Sequence, residues 1–184
     1  MSDAPFSDEA VAPLYAAIRD VQDFPKPGIV FKDIMPLLAR PATLRLSIDL
    51  FEKVCRGLAQ PIDKIVGIDA RGFIFGAALA YKLGVGFIPV RKAGKLPGKT
   101  EAVAYTLEYG ESNVEMLSHA LAPGERVVLL DDLLATGGTA AAAIQLIEKL
   151  GAKPTAALFL VELKFLHGRA RLGGVPVHAL LHYD

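Results

Sequence analysis

The chain has 184 residues, 52% of them hydrophobic and 22% charged, which suits one domain with a sizeable core and excludes disorder as the default. Its 20 basic and 20 acidic residues cancel, so no global positive field argues for nucleic acid as a partner. One cysteine, Cys55, leaves no intrachain disulfide, residues 1–5 do not read as a signal peptide, and no apolar run approaches the about 20 residues of a membrane span, so a cytoplasmic protein without a membrane partner is expected.

Leu14, Ile18 and Val21 share one helical face and Pro13 suits a first turn, so the first helix is predicted to begin at Pro13. It ends before Asp23-Phe24-Pro25-Lys26-Pro27-Gly28, where two prolines favour an extended path and Gly28 permits a sharp change of direction. Ile29-Val30-Phe31-Lys32-Asp33 follows, and on composition alone Phe31 reads as core. Pro41 opens a second helix with Leu44, Ile48, Phe51, Cys55 and Leu58 inward, which makes Cys55 a packing residue. Residues 64–69 read as a β-branched strand, 72–83 as a small-residue helix covered on several sides, and 86–90 as the next strand, together a βαβ unit with parallel pairing.

The basic, turn-rich run 91–99 precedes two alternating stretches, 102–107 and 113–117, which predict a two-stranded flap outside the main sheet. After Pro123-Gly124, the apolar run from Arg126 ends in Asp131-Asp132, and Ala135-Thr136-Gly137-Gly138-Thr139 opens a helix. That helix reaches Leu150, with Ile144, Ile147 and Leu150 inward and Gly151 as its C-terminal cap. Strands at 155–160 and 175–181, with a short polar helix between them, complete an α/β fold: a mostly parallel twisted sheet flanked by helices.

Ligands of open α/β sheets bind beyond the carboxyl ends of the strands. Residues 69–72, 91–99, 131–139 and 162–164 fall there. Gly137 and Gly138 permit close backbone approach, Thr136 and Thr139 offer hydroxyls, and the helix supplies free N–H groups, a set that suits a phosphate. No lysine follows the glycines, so this is not a nucleoside-triphosphate loop. For the turn alone, an ordinary strand–helix junction stays open. Adjacent carboxylates repel each other and are costly to bury, so Asp131 and Asp132 call for hydroxyls or a divalent cation, as a ribose 5-phosphate would bring. One acid as a helix cap and the other in solvent is the plainer alternative.

The run 126–139 resembles the phosphoribosyl-pyrophosphate signature of the type I phosphoribosyltransferases. Residues 24–33 resemble the base-binding segment of the adenine-using branch, and Asp69-Ala70-Arg71-Gly72-Phe73, residues 91–98 and Leu107-Glu108-Tyr109-Gly110 resemble its other signatures, in order. Lys32 departs from the arginine of many members, which matters if a guanidinium is needed.

The resemblance implies a single phosphoribosyltransferase domain, 1–184, with residues 1–40 in a small base-binding hood and 92–121 in a flexible catalytic flap. It implies purine salvage: transfer of the 5-phosphoribosyl group from phosphoribosyl pyrophosphate to adenine, giving AMP and pyrophosphate. Mg²⁺ would be held through the substrate, with Asp131 or Asp132 as candidate ligand. Asp131 and Asp132 would hold the ribose hydroxyls, and Ala135, Thr136, Gly137, Gly138 and Thr139 the 5′-phosphate. Arg71, Arg91 and Lys95 would bind pyrophosphate, with Arg71 also catalytic. Phe31 would stack on adenine while the main chain of Val30 and Lys32 reads its edge. Glu108 would be the general acid/base and Tyr109 part of the lid. A homodimer is implied, with basic residues near 91–95 acting across its interface. The alternatives are a phosphoribosyl-pyrophosphate-binding regulator of the same fold and a phosphoribosyltransferase for another base.

Overall fold

Apolar strands that need cover on both faces, alternating with one-sided helices, lead to three layers. The computed structural model describes residues 6–107 and 110–184. The chain begins with α1 (Asp8–Tyr15), β1 (Arg19–Gln22), β2 (Val30–Asp33), the single turn α2 (Met35–Leu38) and the long α3 (Pro41–Arg56). Then come β3 (Lys64–Ile68), α4 (Arg71–Leu83), β4 (Gly86–Lys92), β5 (Thr100–Leu107) and β6 (Gly110–Leu117). The rest is β7 (Arg126–Leu134), α5 (Gly138–Lys149), β8 (Lys153–Leu163), two 3-10 turns (Lys164–Leu166 and Gly168–Arg171) and β9 (Val177–Tyr183).

Seven strands form one sheet in the order β5-β6-β4-β3-β7-β8-β9, and β1-β2 form a separate pair. From β4 to β9 the pairings are parallel, as the βαβ pattern predicts. β7 shows why its sequence is continuously apolar. Val128 and Leu130 join a core with Leu14, Phe51 and Phe75 from α1, α3 and α4. Val127 and Leu129 join the opposite core with Ala140, Ile144 and Ile147 of α5. Cys55 is buried in the first core, and burial pushes its thiol up to about 12, as fits a packing residue.

Several elements differ from expectation. Pro13 does not start α1. Ser7 caps it, its Oγ accepting from the Ala10 N–H at 3.4 Å, and Asp8 and Glu9 suit the positive end of the helix dipole. Pro13 falls inside the helix, and Val21 leaves it for β1, where it pairs with Phe31. The buried face of α3 is rotated from the expected one: Thr43, Ser47, Leu50 and Val54 are buried alongside Ile48, Phe51 and Cys55. Thr43 and Ser47 can turn inward because their hydroxyls donate to the Leu37 and Leu44 carbonyls at 2.7 Å. α4 is not covered all round, since Tyr81 is 91% exposed. The short polar helix is two 3-10 turns.

The expected flap is an antiparallel hairpin, but it is hydrogen-bonded to the main sheet. β6 pairs with β4 at Arg91↔Glu115 and Lys92↔Val114, and Val114 and Met116 are buried. Its root is therefore core, and Lys149 of α5 reaches Glu101 of β5 at 2.8 Å.

Candidate active site

The carboxyl ends of β3 and β7 and the start of α5 enclose a cleft of about 450 Å³. Asp69, Arg71, Lys92, Tyr105, Asp131, Asp132 and the turn through Ala140 line it. A smaller pocket of about 150 Å³ adjoins it, lined by Ile29, Val30, Phe31, Lys32, Ile34, Val161 and Leu163. Arg71, Asp132 and Leu133 line both. A polar cavity and an apolar one thus share a wall made of one ion pair and one leucine.

β7 runs on through both acids to Leu134, two residues past the expected strand end at Asp132. The acids live in different fields. Asp132 is buried, and its Oδ2 accepts from Arg71 Nε. Asp131 Oδ1 accepts from the Asp132 N–H at 2.9 Å. Burial, then the neighbouring Asp132 charge, raises the Asp131 carboxyl well above the usual range. Arg71 thus offsets the charge of one acid, while burial and that neighbouring charge disfavour the charge of the other. Gly72 permits this packing, because a Cβ there would stand 2.7 Å from the Leu130 carbonyl oxygen and 2.9 Å from Asp131 Oδ1. The Asp69–Ala70 peptide, which leads into α4, is cis.

Gly137 has φ +80° at the start of α5, and no side chain caps that helix. Its first-turn N–H groups lack intrahelical partners, so the helix opens on the cleft with donors available to an anion. A Cβ on Gly137 would lie 2.4 Å from the Gly168 carbonyl oxygen, so glycine is required there for space as well as conformation.

The structure does not bring Arg91 or Lys95 into the cleft. Arg91 Nε donates to Asp69 Oδ2 at 3.0 Å, its Nη1 donates to the Lys95 carbonyl at 3.1 Å, and its guanidinium lies 5.9 Å from the Phe73 ring centroid. Lys92 faces the cleft instead, because successive strand residues point to opposite faces. Buried Glu115 holds the basic loop by accepting from the Lys95 and Leu96 N–H groups, both at 3.1 Å. Sequence reasoning missed Lys92, Tyr105, Glu115 and Gly168. Strand alternation could have signalled Lys92; no local signal marks the others. Glu108 and Tyr109 lie outside the described residues.

At the smaller pocket, Phe31 meets Phe24 edge-to-face at 5.2 Å between centroids. Gly28 turns at φ +84°, with its N–H donating to Asp23 Oδ1 at 2.7 Å. Lys32 Nζ is engaged by Asp20 at 2.8 and 2.9 Å and lies 4.3 Å from the Tyr183 ring centroid. Asp33 pins the hairpin: it accepts from the Met35 N–H at 2.9 Å and from Arg19 at 2.6 Å, contacts that hold its carboxyl below the usual range.

The family model of the phosphoribosyl transferase domain matches residues 35–169, and the chain belongs to that family. The adenine phosphoribosyltransferase of Nitrosococcus oceani is 54% identical over 170 residues, which cover 92% of this chain and 98% of that relative. The crystal structure of adenine phosphoribosyltransferase from Thermoanaerobacter pseudethanolicus matches with a TM-score of 0.90 at 46% identity, covering 94% of this chain and 99% of that one. The Saccharomyces cerevisiae enzyme, complexed with an imino-altritol bisphosphate and adenine, matches with a TM-score of 0.90 at 42% identity, covering 95% and 100%. Within the family, the chain falls among the adenine phosphoribosyltransferases.

Proposed function

We propose that the chain transfers the 5-phosphoribosyl group of phosphoribosyl pyrophosphate to adenine, giving AMP and pyrophosphate. The bond from C1 to the pyrophosphate oxygen breaks, the bond from C1 to purine N9 forms, and the N9 proton is taken up by a base. The observation that carries this reading is the shared wall. A cleft that bears charged groups and ends in a helix N-terminus suits a ribose 5-phosphate, a mostly aliphatic slot with the Phe31 ring in its lining suits a purine, and Arg71 and Asp132 stand where the two meet. The adenine bound in the yeast relative supports the choice of base.

The 135–139 turn would hold the 5′-phosphate through backbone N–H groups and the Thr136 and Thr139 hydroxyls. Asp131 and Asp132 would take the ribose hydroxyls, with Arg71 released from Asp132 toward the leaving pyrophosphate. Phe31 would stack on adenine. Among the described residues β2 has a strand partner on one side only, which leaves main-chain groups of Val30 and Lys32 for the base edge. Because the Lys32 ammonium is already held by Asp20 and the Tyr183 ring, lysine in place of arginine does not disturb that reading. Glu108 is assigned the general acid/base role and Tyr109 a part in the lid, carried on residues 92–121.

The donor set fits Mg²⁺ carried by the substrate. Among the described residues no three ligating side chains cluster, while two strand-end carboxylates match an ion that keeps its waters and binds through one or two acids plus phosphates. When bound it would neutralise charge on the departing pyrophosphate. A homodimer, with Arg91 and Lys95 acting across the interface, belongs to the same reading, and the exposed Ile74 and Tyr81 of α4 support an interface. Cytoplasmic residence fits the single, buried Cys55. The test is direct: purified protein with Mg²⁺, phosphoribosyl pyrophosphate and adenine yields AMP and pyrophosphate, and hypoxanthine, guanine, xanthine, uracil and orotate do not substitute. No AMP overturns the reading.

A further inference from the structure

Behind the 135–139 turn lies a charged pair that lines no part of the cleft. Glu162, near the end of β8, stands in register with Leu134 of β7 on one side and His182 of β9 on the other. Its side chain is only 4% exposed. Arg169 grips it as a fork, Nε to Oε1 at 2.6 Å and Nη2 to Oε2 at 2.7 Å, while Nη1 donates to the Val177 carbonyl at 3.0 Å. His182 Nδ1 lies 3.1 Å from the same Oε2.

The residue before Arg169 touches the turn. A Cβ on Gly168 would stand 2.3 Å from the Ala135 carbonyl oxygen and 3.1 Å from the Gly137 nitrogen, so the two backbones pack without space for a side chain. Leu172, just past Arg169, is buried with Ala140 and Ile144 of α5. A buried ion pair is weak evidence for stability, because desolvation offsets its attraction. A bidentate fork does supply direction.

We propose that the Glu162–Arg169 pair is a positioning device for the 5′-phosphate turn. By fixing Arg169 at the sheet end, it holds Gly168 against Ala135 and Gly137 and so sets where the N–H groups of the turn point. This rests on the assignment of that turn to the 5′-phosphate.

The test measures ribose 5-phosphate binding by calorimetry, the KM for each substrate, kcat and Tm on the full chain. The double variant Glu162→Gln with Arg169→Met removes both charges, so no buried ion is left unpaired. It is expected to keep its Tm, to raise the Kd for ribose 5-phosphate and the KM for phosphoribosyl pyrophosphate on the order of tenfold, and to leave the adenine KM and saturated kcat nearly unchanged. Arg169→Lys, which retains the charge without the fork, falls between it and the wild type. Thr136→Ala, in the turn itself, is the control. If it leaves ribose 5-phosphate binding intact, the assignment of the turn fails and takes this proposal with it. If it weakens binding while the double variant and Arg169→Lys bind as the wild type does, the positioning role alone fails. Equal losses in both KM values together with a lowered Tm would mark the pair as general scaffolding and also overturn the proposal.

Discussion

The cleft at the 131–139 run, proposed to take the phosphate side of the substrate, and the smaller pocket, proposed as the base side, meet at Arg71, Asp132 and Leu133 but are built differently. The 131–139 run grows out of β7, which has a parallel neighbour on each side, and its turn packs directly on the Gly168 backbone. The base-side residues sit on a two-stranded hairpin, with Phe24 52%, Ile29 40% and Val30 40% exposed. A turn wedged between backbones cannot yield to an added atom, so small changes there are felt at once. A hairpin held by side chains such as Asp33 can adjust, so changes there stay local.

The sharpest way to break this contrast is Gly137→Ala. The added methyl meets the Gly168 carbonyl at 2.4 Å, and the φ of +80° disfavours any side chain. A misplacement of the turn by about 1 Å is expected to raise the KM for phosphoribosyl pyrophosphate on the order of a hundredfold. A near-normal KM would show the turn to be as adaptable as the hairpin.

Asp131→Asn ranks next and separates binding from stability. Asn keeps an acceptor for the Asp132 N–H but removes the charge, so the ribosyl substrate is expected to bind about tenfold less tightly, as for loss of a charged hydrogen bond. Stability should move the other way. The folded-state pKa of Asp131 is raised, so its contribution is favourable below the ordinary carboxylate range and is lost as pH rises through the folded-state value. At neutral pH the variant should therefore melt higher, by about 2 °C or more if relief is worth 1 kcal/mol. The gap should close as pH falls. A lower Tm at neutral pH would contradict the burial argument.

Phe31→Ala probes the other side. Loss of a stacking ring is expected to raise the adenine KM severalfold, toward about tenfold, and to leave the KM for phosphoribosyl pyrophosphate near its normal value. An equal change in both would mean that the hairpin is coupled to the turn through the shared wall.

The same contrast governs what could be read from the chain. That Thr136, Gly137, Gly138 and Thr139 share one cleft with Asp131 and Asp132 was legible because consecutive residues build it. The parallel order was legible because β3, β7 and β8 are continuous apolar runs. Tyr105, Glu115 and Gly168 were not, since each reaches the site or its loops through strand pairing or packing against distant chain. The register Lys92↔Val114 decides where the hairpin sits, and no local pattern encodes it. The start of α1 was misread for a different reason: a proline signal outweighed Ser7 and two acids, a capping set that was there to be used.

The smallest expected effect is the most informative about the hairpin. If adenine is read by main-chain groups of Val30 and Lys32, the side chain at position 32 serves only to hold β2 against β1 and β9. Lys32→Arg can keep its contacts with Asp20 and the Tyr183 ring, because a guanidinium also pairs with a carboxylate and stacks on an aromatic face. The adenine KM should then change by less than about twofold, and Tm by no more than about 4 °C, which corresponds to the roughly 1 kcal/mol that a partly exposed ion pair supplies. A markedly lower adenine KM would instead mean that the guanidinium touches the base, and that the base side, like the phosphate side, is fixed by a particular chemical group and not by backbone alone.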